Sequence, residues 1–294
     1  MKRRRFLCLA AAFGAAPLSA RSGAGVRWSG RAFGADVSLQ LDGPAAQADL
    51  VLNELPDLLK RIEATFSLYD PASELSELNR TGLLRGPSPW MRQLLDVADR
   101  AHRLTGGLFD PTVQPLWQAL AAGGDVAGAR ALVGWSGVAR DGSVRLGAGQ
   151  ALTLNGIAQG FATDLVLARL RALGARQALA DIGETGALGG PFRLGVADPA
   201  AGQVGWRSLR DGAVATSSPG ALRLDRDTFH ILHPLSVTAP AWSTVSVAAP
   251  GAALADALST AAVFLPAEAL AGLRRRAGLG RILCVAPDGD LRSV

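Results

Sequence analysis

The chain has 294 residues, 49% hydrophobic and 19% charged, which is enough apolar material for a buried core and excludes global disorder. Its net charge of +5 comes mostly from arginines scattered along the chain, and aromatics make up only 5%; without a basic stripe and interleaved rings, a nucleic-acid-binding surface is disfavoured. The 35 glycines and 16 prolines mark many turns and favour mixed α and β structure over a helical bundle.

Residues 1–20, MKRRRFLCLAAAFGAAPLSA, read as a leader: a basic start, an apolar middle and a small-residue site at Leu18-Ser19-Ala20. Arg-Arg-x-Phe-Leu inside it is the twin-arginine pattern, which favours export after folding and a periplasmic destination over an ordinary secretory leader or an uncleaved anchor. Cys8 starts the apolar run with no small residue before it, which argues against lipid attachment. Cys284 is then the one remaining cysteine, so the mature chain can form no internal disulfide. It is expected as a buried strand thiol in RILCVA.

Residues 26–41 alternate and predict strand, turn, strand. Residues 45–69 have helical spacing around Pro56, as two helices or one kinked helix. Ser73 caps a short helix ending before Gly82, and Ser88 with Pro89 opens another that stops at Gly106-Gly107. Residues 109–124 predict a turn and a short helix; 143–155 a hairpin; 157–175 a helix ending at Gly174; 177–190 a strand running into a glycine-rich loop. Short strands are expected at FRLGVA, VGWRSL, GAVATS, ALRL, TFHIL and STVSVAA, then helices at 253–265 and 266–277, with RILCVA closing the chain.

Two strand–loop–helix modules carry chemistry. In LTLNGIAQGFATD (152–164), Gly156 and Gly160 bracket a helix start, where free N–H groups attract anions and a carbonyl can face a cation. It has no following Gly-Lys-Ser/Thr and no Gly-x-Gly-x-x-Gly, and the alternative is a turn whose glycines serve packing. In ADALST (255–260), Asp256 and Thr260 are spaced i, i+4 and share a helix face. Two hard oxygens so placed suit Mg²⁺; the alternative is a solvated Asp256 and a packing Thr260. His230, at a strand end before a Pro turn, is a candidate general base or a surface turn residue, and His102 is expected on the surface of its helix. Ser217 and Ser218 lack a Gly-x-Ser-x-Gly elbow, which leaves a serine hydrolase a weak reading. Tyr69 can stack on a flat ligand or plug the core.

Taken in order, SLYDPASELSELN (67–79), FDPTVQPLW (109–117), LNGIAQGFATD (154–164), ALADIGE (178–184), VATSS (214–218), HILHP (230–234) and ADALSTA (255–261) resemble the ApbE family of FAD:protein FMN transferases. The forms TVQPLW and LNGIAQG further resemble its NosX-like members, which serve nitrous oxide respiration. The resemblance implies an α+β fold: one domain over 21–294, of mixed antiparallel sheets with packed helices around a T-fold-like core. It implies Mg²⁺-dependent transfer of FMN from FAD to a Thr or Ser hydroxyl of an exported or membrane protein, with release of AMP. By motif, Asp256 and Thr260 match metal ligands and Gly156 the residue offering its carbonyl to the metal. His230 matches the catalytic base. Tyr69, Phe33-Gly34 and the Asp110–Thr112 turn match positions at the flavin, and Thr153 falls where an acidic residue is common before the glycine turn.

The chain also departs from that pattern. His233 stands where the family has Asp after the catalytic His, Gln159 where Lys is frequent, and Thr185-Gly186 where the NosX-like type has an apolar residue and Arg. These departures keep two other readings open: an FAD-binding carrier without catalysis, and an FAD pyrophosphatase.

In an exporting host the full chain is expected to yield a product beginning at Arg21. N-terminal sequencing checks this, and an exported product still beginning at Met1 refutes a cleaved leader.

Overall fold

The computed structural model describes residues 25–42 and 45–294; the expected leader lies outside the described residues. Strand β1 (Val26–Ala32) turns at Phe33-Gly34 into β2 (Ala35–Asp42), both turn residues having positive φ. Helix α1 (Ala45–Phe66) runs unbroken through Pro56, which is exposed, while Val51, Leu55, Leu59, Ile62 and Phe66 form its buried stripe. The Ser73 hydroxyl accepts from the Ser76 amide and caps α2 (Glu74–Thr81), which ends on left-handed Gly82. After β3 (Leu83–Arg85), Ser88 caps α3 (Pro89–Leu104) in the same way. A 3₁₀ turn (Pro111–Val113), α4 (Gln114–Ala122) and a short α5 (Val126–Ala131) follow, the last not expected from sequence.

The hairpin expected at 143–155 is absent. Only β4 (Ser143–Arg145) forms, and it pairs with β3. The backbone from 151 finds other partners: the Asn79 side-chain amide donates to the Leu152 carbonyl and accepts from its N–H, and the Thr153 N–H donates to the Pro111 carbonyl. With those groups satisfied, the segment is free to lead into α6 (Ala158–Ala172).

Next come β5 (Gln177–Asp181) and β6 (Thr185–Leu188), a tight hairpin where the sequence predicts a loop, then β7 (Phe192–Asp198), β8 (Gly202–Leu209) and β9 (Gly212–Ser217). ALRL and TFHIL are not strands: one isolated bridge, Arg223 to Phe229, joins them, so His230 sits in a loop. β10 (Thr244–Ala249), α7 (Ala252–Ala262), α8 (Ala267–Ala277) and β11 (Ile282–Val285) follow, and a further strand, β12 (Leu291–Ser293), closes the chain.

The result is α+β. Eight strands form one antiparallel sheet in the order β1-β2-β5-β6-β9-β10-β11-β12. Helix α6 covers β5 and β6, and α7 covers β9 and β10. The β7–β8 hairpin covers the other face, where Leu194 and Leu209 meet Leu179, Ala187 and Val214 of the sheet. Cys284 is buried in β11, as expected.

Helices α6 and α7 meet backbone to backbone at Gly160. A Cβ there would lie 2.4 Å from the Ala252 carbonyl oxygen and 2.8 Å from the Ala253 Cα, both backbone atoms that cannot swing aside. Gly160→Ala is therefore expected to cost about 1–3 kcal/mol or more by overpacking. Gly82→Ala, with φ +71° but open space around its Cβ, is expected to cost only about 1–2 kcal/mol of left-handed strain. Denaturant midpoints of the two variants check the order, and a Gly160→Ala protein as stable as the parent refutes the contact.

Candidate active site

The two modules singled out in the sequence meet at the α6–α7 contact. The Gly160 N–H, in the first turn of α6, donates to Asp256 Oδ2 of α7 at 3.2 Å. In return, Asp164 of α6 accepts from the Ala252 N–H (Oδ1, 2.7 Å) and the Ala253 N–H (Oδ2, 2.9 Å), so it caps α7 from outside that helix. One turn beyond Asp256, Thr260 reaches Gly156: a Cβ on Gly156 would lie 3.0 Å from Thr260 Oγ1. The same point is 3.6 Å from the Phe109 ring, which brings the 109–113 turn alongside.

Asp256 is buried, so the solvated reading of its helix face does not hold. Burial, with the neighbouring Asp164 carboxylate adding to it, pushes the Asp256 carboxyl up to about 7 against the Gly160 hydrogen bond. Burial also raises Asp164. A positive charge beside the buried Asp256 carboxyl and its neighbour Asp164 would relieve the cost of burial. The Asp256 carboxyl and the Thr260 hydroxyl are both hard oxygens, and the Gly156 backbone lies against Thr260. Among the described residues no group of three or more His, Cys, Asp or Glu gathers as a metal centre. A cation at Asp256 would thus have one carboxylate and neutral oxygens, the sparse set that a small hard ion completes with phosphate and water.

The hydroxyl of Ser217, at the end of β9, lies 2.7 Å from Ser259 Oγ and 3.4 Å from Thr260 Oγ1. Ser218 lies 2.7 Å from Thr244 Oγ1. Each serine hydroxyl is thus paired with another hydroxyl, and among the described residues no histidine hydrogen bond activates either as a nucleophile. Close by in the chain, the Pro219 carbonyl meets His230 Nδ1 at 3.2 Å, and the Leu222 carbonyl meets it at 3.0 Å. Carbonyls only accept, so Nδ1 carries the proton and Nε2 keeps its lone pair. His230 is thereby held as a neutral ring in a half-buried loop, tied to the 219–222 turn that follows Ser217 and Ser218 in the chain.

The remaining expected residues fall into two groups. Asp110 and Thr112 are buried and build their own turn. Asp110 Oδ1 accepts from the Thr112 N–H (2.8 Å) and hydroxyl (2.5 Å), its Oδ2 accepts from the Trp135 N–H, and Thr112 Oγ1 accepts from the Gly134 N–H. Thr153 joins this turn through Pro111, and its hydroxyl accepts from the Asn155 N–H at 3.3 Å. Phe33-Gly34 and Tyr69 gather at the C-terminal end of α1. The Phe33 N–H donates to Glu63 Oε1 at 2.5 Å, and Phe33 holds φ +52°, a strained value for a non-glycine residue. Tyr69 is 68% exposed, so it does not plug the core. Phe66, at the end of α1, packs edge-on against Phe161 of α6 at 5.6 Å, which ties this group to the Gly160 contact.

Sequence reasoning missed Asp164, although it ends the motif one helical turn after Gly160. It also missed Glu63 and the Ser217–Ser259 pair, which only the fold brings into place. His102 is not a surface residue: it is half-buried, with Nδ1 3.0 Å from the Phe109 carbonyl.

The sequence model of the ApbE family matches residues 33–283. Among solved structures, the chain is similar to the apo flavinyl transferase ApbE of Pseudomonas stutzeri, with TM-score 0.79, 26% identity, and 92% of this chain and 94% of that one covered. It is also similar to the ApbE protein of Thermotoga maritima (TM-score 0.81, 24% identity, 91% and 96% covered). A third likeness is to the flavin transferase ApbE of Vibrio cholerae (TM-score 0.75, 23% identity, 92% and 96% covered). No curated protein matches the chain.

Burial holds His230 below the usual 6.5, against two carbonyl hydrogen bonds that favour the protonated ring. On acidification the unfolded chain takes up this proton first, so its contribution to stability is present above about pH 6.5 and is lost as pH falls toward the lower folded value. Burial lowers His233 in the same direction. Between pH 7.5 and 5.5 protonation of the raised Asp256 carboxyl stabilises the parent and His230→Gln alike, so His230 is read from the difference: the parent is expected to lose more stability, or gain less, than the variant, by on the order of 1 kcal/mol. Thermal melts across this range check it; an identical pH dependence in the variant refutes the buried neutral ring.

Proposed function

The chain belongs to the ApbE family, and from that premise we propose that it is a Mg²⁺-dependent FAD:protein FMN transferase acting on a Thr or Ser hydroxyl of an exported or membrane protein. The observation that carries this reading is the convergence of Gly156, Asp256 and Thr260 next to the loop that holds His230 with its Nε2 lone pair free.

Asp256, Thr260 and the Gly156 carbonyl would hold the Mg²⁺, which when bound neutralises the pyrophosphate of FAD and assists departure of the leaving phosphate. His230 Nε2 takes the proton of the acceptor hydroxyl. The hydroxyl oxygen bonds to the FMN phosphorus, the phosphoanhydride bond breaks, and AMP leaves. Phe33-Gly34 and Tyr69, at the end of α1, are the groups proposed to meet the isoalloxazine ring. Thr153 and the Asp110–Thr112 turn support the ligand-facing backbone around Gly156.

His233 fits this reading despite replacing a carboxylate. Its Nδ1 accepts from the Leu235 N–H, the Ser236 N–H and the Ser236 hydroxyl at 3.0 to 3.2 Å, the contacts by which an Asp side chain fixes such a turn. The leader's features support periplasmic action by way of the twin-arginine route.

Purified protein given FAD, Mg²⁺ and an acceptor domain is expected to leave acid-stable flavin fluorescence on the acceptor and to release AMP in equal amount. His230→Ala and Asp256→Ala are each expected to lower the rate by about a hundredfold or more. Labelling by wild type no better than by His230→Ala overturns the assignment. AMP release without any acceptor would make the protein an FAD pyrophosphatase, and FAD binding without turnover a carrier.

A further inference from the structure

The sheet face opposite α6 and α7 carries a cavity of about 550 Å³ between β8, the start of β9, the end of β10 and the turn after α8. That is within the size range of small-molecule sites. It is remote from the candidate active site within the same strands. Ala213 and Ala249 line it, whereas Ser217 and its partner Val245 lie four residues along the β9–β10 pair, at the active-site end.

Its walls are basic. Arg207, Arg210 and Arg281 line it against a single acid, Asp211, whose Oδ1 already accepts from the Gly189 N–H at 2.7 Å. Among the described residues no carboxylate lies within 4.0 Å of any of these three guanidinium groups. Arg207 is the decisive one, because it is only 9% exposed. Nη1 donates to Ser246 Oγ at 2.9 Å and Nη2 to the Arg281 carbonyl at 2.7 Å, both neutral acceptors. Burial lowers its pKa to about 10, and the Arg281 guanidinium adds to the effect. A buried guanidinium is usually answered by a carboxylate or a phosphate; here the protein supplies neither. The C-terminus of α8 at Gly278 contributes at most about half a negative charge, too little to offset the arginines. Trp206 lines the cavity too and is stacked by Arg193 at 4.1 Å, so an aromatic edge borders the basic wall.

We propose that this cavity is a binding site for a phosphoryl-bearing anion, held by the forked guanidinium of Arg207 with Arg210 and Arg281. The site stands independently of the transfer reaction proposed for the other face. Its chemistry fits either a free phosphorylated small molecule or an anionic lipid headgroup.

The test uses the full protein with EDTA present. Calorimetry with inorganic pyrophosphate is expected to give saturable binding. The exposed pair Arg210→Gln/Arg281→Gln is expected to weaken it by at least about tenfold, as loss of charge-assisted contacts should. Arg207→Lys, which keeps the charge and loses the fork, is expected to weaken it as well, with circular dichroism confirming the fold. In parallel, flotation with phosphatidylglycerol-containing vesicles separates the two sources. Pyrophosphate binding without flotation supports a free ligand, and arginine-dependent flotation supports a headgroup. No saturable binding of either probe, or binding that survives the Arg210→Gln/Arg281→Gln change, overturns the proposal.

Discussion

Everything at the candidate site depends on one exchange between two helices. Asp164 of α6 caps the start of α7, and Asp256 of α7 accepts from the first turn of α6. Each carboxyl satisfies backbone donors that burial would otherwise leave unpaired, and neither helix could approach the other without the bare Cα of Gly160. The exchange has a cost, since it holds two carboxyls in a poorly solvated place and raises both. A helix pair stabilised by apolar contacts alone would carry no such burden, whereas here a positive charge placed near Asp256 would relieve it.

Much of this could be read in the sequence, and the parts that could not share a physical cause. Helix starts at Ser73 and Ser88 are local: the hydroxyl and the amide it accepts lie three residues apart, so the signal is contained in the chain. The i, i+4 spacing of Asp256 and Thr260 is local too. The segment 143–155 alternates like a hairpin, but Asn79 and Pro111, far away in sequence, take its backbone hydrogen bonds. TFHIL likewise has strand composition, yet pairing stops at a single bridge because His230 and its neighbours are bonded to the 219–222 turn. Residues such as Glu63 and Asp164 carry no local signature, since their partners are backbone amides that only tertiary structure delivers.

The two histidines of the HILHP stretch show how neighbouring copies of one side chain are given different jobs. His230 Nδ1 faces carbonyls and must be protonated there, which exposes an acceptor at Nε2. His233 Nδ1 faces N–H and O–H donors and must be bare, which leaves the proton on Nε2 of the neutral ring. Arg130 fixes the same loop by donating to the carbonyls of His233 and Ser236, and its charge also discourages protonation of the His233 ring. One histidine is thus prepared to receive a proton while the other keeps the loop in shape.

The order of strands in the large sheet has a consequence for synthesis. β2 pairs on one side with β1, already made, and on the other with β5, so Ser38 waits for Asp181. Until residue 181 has emerged, the β1–β2 hairpin carries a long unpaired edge with Leu39 and Leu41 uncovered, a surface prone to wrong partners. The same delay holds for chemistry: the glycine turn at 156 is complete long before Asp256 exists. The nascent chain therefore passes most of its synthesis with that turn lacking its partner helix, and the exchange between α6 and α7 forms only with the final fifth of the molecule, once α7 can dock.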